Sequence, residues 1–355
     1  MIDPMERRSG PREPQRARQR PTQRRLRARR ERATVLLAKL LSAAACFAIG
    51  SAQAASVQDA SADGFPAWAF PVKPATPDKV AAGGTQSVPG SRVRLRDAQI
   101  HDISTPPDWF PQEHPPMPAP VGATGATGRW ACAYCHLPGG EGRPENASLA
   151  GLPAAYIRAQ VEAFAHGERH GARPDWVPGT LMTRVARDAD DSDIARAADY
   201  FSRLSFATHV RVVESDTVPA HAAAAYAYAP VAGSPVALGA RIIEMPVDLE
   251  RFELRDPHSR FVAYVPRGSV ARGRKLAQDG AAPCASCHGA GLRGGEGSVA
   301  PPLAGRSPTY LFRQLFGFGA GTRTSAAAQP MRALVANFSE ADRIALAAYA
   351  ASLAP

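Results

Sequence analysis

Four of the five cysteines fall into two frames, Cys132-Ala-Tyr-Cys135-His136 and Cys284-Ala-Ser-Cys287-His288. Two thiols three positions apart, followed at once by an imidazole, could do several kinds of chemistry. A disulfide would leave each histidine without a task. A zinc site would need a second ligand pair at short spacing, and neither frame has one. A redox pair of the C-x-x-C type opens a helix in a βαβ context, and no such strand pattern surrounds either frame. The remaining chemistry uses all three residues. The thiols add across the two vinyl groups of a porphyrin, and the histidine lies beneath its iron. Two intervening residues let one helical turn present both sulfurs to one porphyrin edge. The frames therefore predict two covalently bound haem c groups, one on Cys132 and Cys135 and one on Cys284 and Cys287. His136 and His288 are the expected proximal iron ligands.

The sequence after each frame repeats. Leu149-Ala150-Gly151, Tyr156, Gln160, Phe164, Gly167 and Arg169 recur as Leu303-Ala304-Gly305, Tyr310, Gln314, Phe318, Gly321 and Arg323. Tyr156, Gln160 and Phe164 stand at i, i+4 and i+8, one face of a helix, as do Tyr310, Gln314 and Phe318. Two related haem-bearing domains explain this most simply. A methionine then occupies the same station in both copies, Met182 before a helix over 193–204 and Met331 before a helix over 342–353. Thioether sulfur is a distal haem ligand, so Met182 and Met331 are the expected sixth ligands. His166 and His170 are rivals at the first iron, whereas no histidine follows His288. Met117 and Met245 are read as surface or packing residues. With both axial positions filled by protein, neither iron has a vacancy for a substrate, which favours one-electron exchange over catalysis.

The elements that must position these groups divide the chain. We expect a leader over 1–54, a proline-rich extension over 55–117, a first haem domain over 118–206, an interdomain segment over 207–267 and a second haem domain over 268–355. A short helix over 269–278 should precede the second frame. The corresponding stretch from Val121 to Gly125 is poor helix material, since each glycine costs up to about 1 kcal/mol. The interdomain segment holds short β-like runs, 210–213 and 241–244, and an alanine-rich piece, 221–228, expected to be mobile.

The formal charge of +10 does not signal a nucleic-acid partner. Residues 1–54 hold twelve Arg and one Lys against four acidic residues, so the leader carries +9 and the rest about +1. Its Arg-rich start, interrupted apolar run and Ala52-Gln53-Ala54 read as an export signal with a cleavage site. The apolar run is short for a membrane span of about 20 residues. Met5 is an alternative start, and Cys46, with Ala43 three residues before it, is not expected to carry a lipid.

The residues above resemble the dihaem class I cytochromes c, in particular the cytochrome c4-like group. The likeness rests on the two frames, Leu149-Ala150-Gly151, Tyr156, the Met182 segment, Leu303-Ala304-Gly305, Tyr310, and Met331 through Ala347-Ala348-Tyr349, and covers about half the chain. It implies an all-α fold of two helical cytochrome c-like domains, here joined by a long, mostly irregular strap. It also implies a periplasmic location and a non-enzymatic role, passing electrons between a donor dehydrogenase or membrane complex and an acceptor oxidase or reductase. Neither a small-molecule substrate nor nucleic acid is expected. Tyr156, Arg169, Tyr310 and Arg323 become candidate donors to haem propionates, because buried carboxylates need paired donors. The long extension and strap depart from the compact family pattern and suggest an alternative, the electron-accepting subunit of a periplasmic dehydrogenase. A dihaem peroxidase is a third reading, which the matched methionines oppose.

Overall fold

The computed structural model describes residues 65–72, 84–125, 128–279, 283–295 and 299–355. The expected leader, with Cys46 and the cleavage site, lies outside the described residues. In chain order the N-terminal extension contributes β1 (Thr85–Gln86), β2 (Leu95–Arg96) and α1 (Asp97–Ile100). The region around the first frame contributes α2 (Cys132–His136), α3 (Ala154–Ala165), α4 (Val177–Asp188) and α5 (Asp191–Ser202). The segment between the frames holds β3 (Val210–Glu214), β4 (Thr217–Val218), β5 (His221–Ala224), β6 (Ala227–Pro230), β7 (Val236–Ala237), β8 (Ile243–Pro246), α6 (Leu249–Glu253) and β9 (Phe261–Val265). The second region adds α7 (Ser269–Asp279), α8 (Ala285–His288), α9 (Pro308–Gly319), α10 (Gln329–Val335) and α11 (Glu340–Ser352).

Helix ends are written into the sequence. Asp190 caps α5 by accepting from Asp193 N at 2.8 Å. Ser339 and Asp342 form a reciprocal capping box at α11. Ser307 caps α9, with Pro308 in the first turn where its missing N–H costs nothing. In the second region α7 crosses α11 at Gly273, where a Cβ would stand 2.0 Å from Ala345 O, so only glycine permits the approach. In the first region no helix lies between Ile100 and Cys132 among the described residues. Val121, fully buried, fills that position against Ala197, Ala198 and Phe201.

The strap departs from the sequence reading. Helices surround both frames, and the two β-like runs expected in the segment between them appear as β3 and β8, within more strand than a mostly irregular strap implies. Strands β3, β9 and β8 form one sheet in that order, β3 parallel and β8 antiparallel to β9. Phe261, Ala263 and Val265 of β9 point inward, the alternation of a half-buried strand. The alanine-rich piece is not a loose loop. It is the β5–β6 hairpin, with Ala222 opposite Ala229, and its buried Tyr228 donates to Trp68 O at 3.0 Å. Alanine is a poor strand former, so the pairing is decided by what the hairpin packs on rather than by local preference.

Residues Ala54–Pro355 form one unit. Its largest core takes Trp68 and Phe70 from the extension, Trp176 from the first region, Ile242, Ala263 and Val265 from the strap, and Phe312, Ile344 and Tyr349 from the second region. Trp68 lies 4.4 Å from the Phe312 ring, and its Nε1 donates to Glu340 Oε1 at 3.1 Å. A second small core joins Val88, Ile100, Trp109 and Phe110 to Leu254 of the strap. Met117 and Met245 both pack into apolar clusters.

Trp68→Ala should therefore lower the stability of the haem-loaded protein by about 3–5 kcal/mol, the usual cost of truncating a buried aromatic. Denaturant unfolding checks this. A loss below about 1 kcal/mol would mean that the extension is not part of this core.

Candidate functional site

Each attachment frame is a single helical turn. In α2, Cys132 and Cys135 stand at i and i+3, on one side of the helix. His136 Nδ1 lies 2.8 Å from Ala147 O, and His288 Nδ1 lies 2.8 Å from Pro301 O. A carbonyl can only accept, so both rings carry the proton on Nδ1, and each Nε2 keeps its lone pair for a metal. Burial pushes both histidines below the ordinary imidazole range, which holds them in the neutral form that ligation requires. A left-handed residue follows each frame, Leu137 (φ +64°) and Gly289 (φ +76°). A Cβ at Gly289 would stand 1.7 Å from Gly294 O, so the second frame needs its glycine.

A cavity of about 300 Å³ opens over α2. Cys132, Cys135 and His136 line one wall, and Met182 of α4 lines it as well. Met182 precedes α5, the helix expected after it, and itself lies within α4. His170 also borders the cavity but is exposed, and its Nδ1 lies 3.0 Å from Gly171 O. His166 is exposed at the C-cap of α3. Met331, half-buried on α10, packs with Phe318, Ala328 and Val335.

The repeated helix faces meet each other. Arg169 and Arg323 pair their backbones in antiparallel fashion, with His170 N donating to Thr322 O at 3.0 Å and Thr324 N to Glu168 O at 2.7 Å. The side chains then cross. Arg169 donates to Gln160 Oε1 at 2.9 Å and to Gln314 Oε1 at 2.7 Å, while Arg323 donates to Gln314 Oε1 at 3.2 Å and to Gln160 Oε1 at 2.6 Å. Each glutamine oxygen thus serves one arginine from each repeat. Arg169 reaches Tyr310 OH at 3.4 Å, and Arg323 bonds Tyr156. All four candidate propionate donors therefore converge, and all four line the cavity above α2.

This cluster is cationic and buried. Arg169 and Arg323 are 9% and 7% exposed, and Arg306 beside them is 4% exposed. Among the described residues none of the three pairs with a carboxylate. Desolvation lowers Arg323, and the neighbouring Arg169 charge lowers it further. Arg306 is brought down to about 10, chiefly by burial. Its guanidinium crosses between repeats, donating to Ser148 O at 2.7 Å and Ala150 O at 3.0 Å. Buried charges without counter-charges are expensive, so this donor set calls for anions. A porphyrin bearing two propionates, if tethered at Cys132 and Cys135 in this otherwise apolar cavity, would supply them. The residues present fit haem.

Of the residues singled out from the sequence, the structure brings Cys132, Cys135, His136, Met182 and the tyrosine–arginine set to one cavity, whose lining does not include Met331 or the second frame. Sequence reading passed over Gln160 and Gln314 as site residues, although the repeat had already paired them. It missed Arg306, whose counterpart one repeat earlier is Leu152, and it missed Arg255 of the strap, which also lines the cavity.

Two attachment turns, two ligand-ready imidazoles and an anion-seeking interface define a c-type haem protein. The family profile described as Cytochrome c matches residues 270–354. Cytochrome c-554(548) of Halomonas halodenitrificans is 35% identical over 72 residues, 20% of this chain and 81% of that protein. The thiosulfate dehydrogenase electron acceptor of Thiomonas intermedia is 32% identical over 126 residues, 32% of this chain and 56% of that protein. Cytochrome c4 of Azotobacter vinelandii is 30% identical over 133 residues, 33% of this chain and 63% of that protein. The match thus spans little more than half the length of two of these relatives. The chain belongs to the cytochrome c family, and within it is c4-like. No helix among the described residues is long and apolar enough to cross a membrane.

Glu141 lies in the loop after α2, with its Oε2 buried and without a protein hydrogen bond. Burial raises its carboxyl to about 7 against the opposing pull of His114 and His258. Between the unfolded value of 4.5 and about 7 the native state therefore holds a proton that the unfolded chain has lost, so stability falls as pH rises through this window. Glu141→Gln should flatten that slope and stabilise the protein at pH 8 by about 1–3 kcal/mol. Denaturation midpoints at pH 5 and pH 8 check it, and a slope unchanged from wild type would contradict it.

Proposed function

We propose that the chain is a dihaem electron carrier of the periplasm, with one haem c on Cys132 and Cys135 and a second on Cys284 and Cys287. His136 and Met182 would hold the iron at the first frame, and His288 and Met331 at the second. When bound, haem c supplies a one-electron iron couple at each frame. The observation that carries the reading is the reciprocal Arg169–Gln160–Arg323–Gln314 crossing, which presses the repeated faces together and leaves two buried cations in need of anions from both sides. The chain itself has four tasks in this scheme. The cysteines tether, the histidines hold their Nδ1 protons on backbone carbonyls, the arginines and tyrosines take the propionates, and the apolar walls exclude water. The repeated methionines would take the iron's remaining protein-facing position, which favours one-electron exchange over small-molecule chemistry. The Arg-rich leader and its Ala52-Gln53-Ala54 supply the export reading.

A second reading has support from one relative. The Thiomonas intermedia protein is named as an electron acceptor of thiosulfate dehydrogenase, which agrees with a subunit or docked partner of a periplasmic dehydrogenase. In that case the extension and strap form part of the docking face. Co-purification with a dehydrogenase from native periplasm favours this form over a free shuttle.

The mass of the denatured, exported protein should exceed that of the processed polypeptide by two haems, and a bare mass would end the proposal. Met182→Ala and Met331→Ala should each abolish one thioether-to-iron charge-transfer band in the oxidised spectrum and lower one potential, with both haems still covalently attached. A spectrum identical to wild type would strike that methionine from the ligand set.

A further inference from the structure

The strap reaches the first haem site through one residue. Helix α6 starts at Asp248, whose carboxylate accepts Arg251 N at 3.1 Å, and ends at Leu254. Arg255 follows with φ +57°. Helices commonly leave through such a left-handed residue, and glycine usually takes the place because a side chain costs roughly 1–2 kcal/mol there. Here an arginine sits in it and is held firmly. Trp109 Nε1 donates to Leu254 O at 2.8 Å on one side. On the other, Arg251 Nε donates at 2.6 Å to Asp256, whose carboxylate is fully buried. The strained arginine points at the attachment helix. Its Nη1 donates to Tyr134 O at 2.8 Å, and its guanidinium lies 3.8 Å from the Tyr134 ring centroid. It shares the cavity wall with Cys135 and His136.

Among the described residues no carboxylate forms an ion pair with Arg255. The second frame has no such feature. The residue corresponding to Tyr134 is the exposed Ser286, and among the described residues no arginine is hydrogen-bonded to its carbonyl.

We infer that Arg255 is a positioning residue that tunes the first haem, its fixed positive charge favouring the reduced over the oxidised iron and so raising that haem's potential relative to the second. The inference rests on the dihaem reading. One electron arrives from a reduced partner protein and no bond changes. Arg255 keeps its proton throughout and acts only through its field. A purely structural Arg255 would brace the strap against α2 and leave the redox equilibria alone.

The test is a spectroelectrochemical titration of the full-length haem-loaded protein. Arg255→Gln keeps a hydrogen-bond donor and removes the charge. It should weaken reduction of one haem at least tenfold, which is about 59 mV for a one-electron couple. The wave that moves should be the one that Met182→Ala also moves, with the other wave in place. Arg255→Lys should retain the wild-type value. Arg255→Gly relieves the left-handed strain, so it should fold at least as stably while reproducing the Gln shift. Unmoved potentials in the Gln variant, a shift in the Met331-linked wave, or equal shifts in the Gln and Lys variants would each overturn this inference in a protein that carries both haems. Absence of haem on Cys132 and Cys135 would overturn the dihaem reading as well.

Discussion

Two arginines buried face to face, without a carboxylate between them, constrain everything around them. Arg169 and Arg323 share both glutamine oxygens, so neither guanidinium can leave without stranding a partner from the other repeat. Coulomb repulsion between them at low dielectric is offset only in part by dipoles of neutral amides and phenols. Carboxylates entering from the two sides would turn the most costly feature of the interface into one that binds its cofactors. The same residues then fix the relation between the two sites, because the backbone pairing of Arg169 with Arg323 leaves the repeated helices little freedom to slide.

The additions to the compact family pattern are integral to this arrangement. Trp68 and Phe70 fill the core shared by both regions, and the strap sheet lies under the same core. Arg313 of α9 donates to Ala69 O at 3.0 Å and also bonds Pro144 O, so it ties the extension to the loop after the first frame. Burial brings Arg313 down to about 10, with Glu244 of β8 the main influence holding it up. Elements outside the two frames and their repeated helices thus shelter the first frame. The second frame is more open, with Ser286 and Cys287 exposed. That asymmetry gives the two frames different surroundings even though their C-x-x-C-H spacing repeats.

Much of the site was legible from residue types and spacing. The frames state their own chemistry, and the repeat exposed the helix face that later proved to be the interface. What stayed hidden shares one property: it depends on contacts distant in sequence. The β5–β6 hairpin is made largely of alanine, which carries no strand signal, and is ordered by Tyr228 reaching Trp68, 160 positions away. Arg255 gave no motif because its significance lies in a backbone angle and in Tyr134, 121 positions away. Arg306 broke the repeat and was passed over for that reason, although a departure from symmetry at an interface is where a crossing contact is needed. Gln160 and Gln314 were seen as a helix face but not as acceptors, since an amide oxygen becomes functional only when two donors converge on it.

The central claim is that the buried arginine pair exists to receive haem carboxylates from both sides. A crystal structure of the haem-loaded protein tests it most directly. The account predicts at least one propionate of each haem within hydrogen-bond distance of Arg169 or Arg323, with the two glutamines still shared. Propionates of either haem turned away to solvent, with the arginines bound only to Gln160 and Gln314, would contradict it.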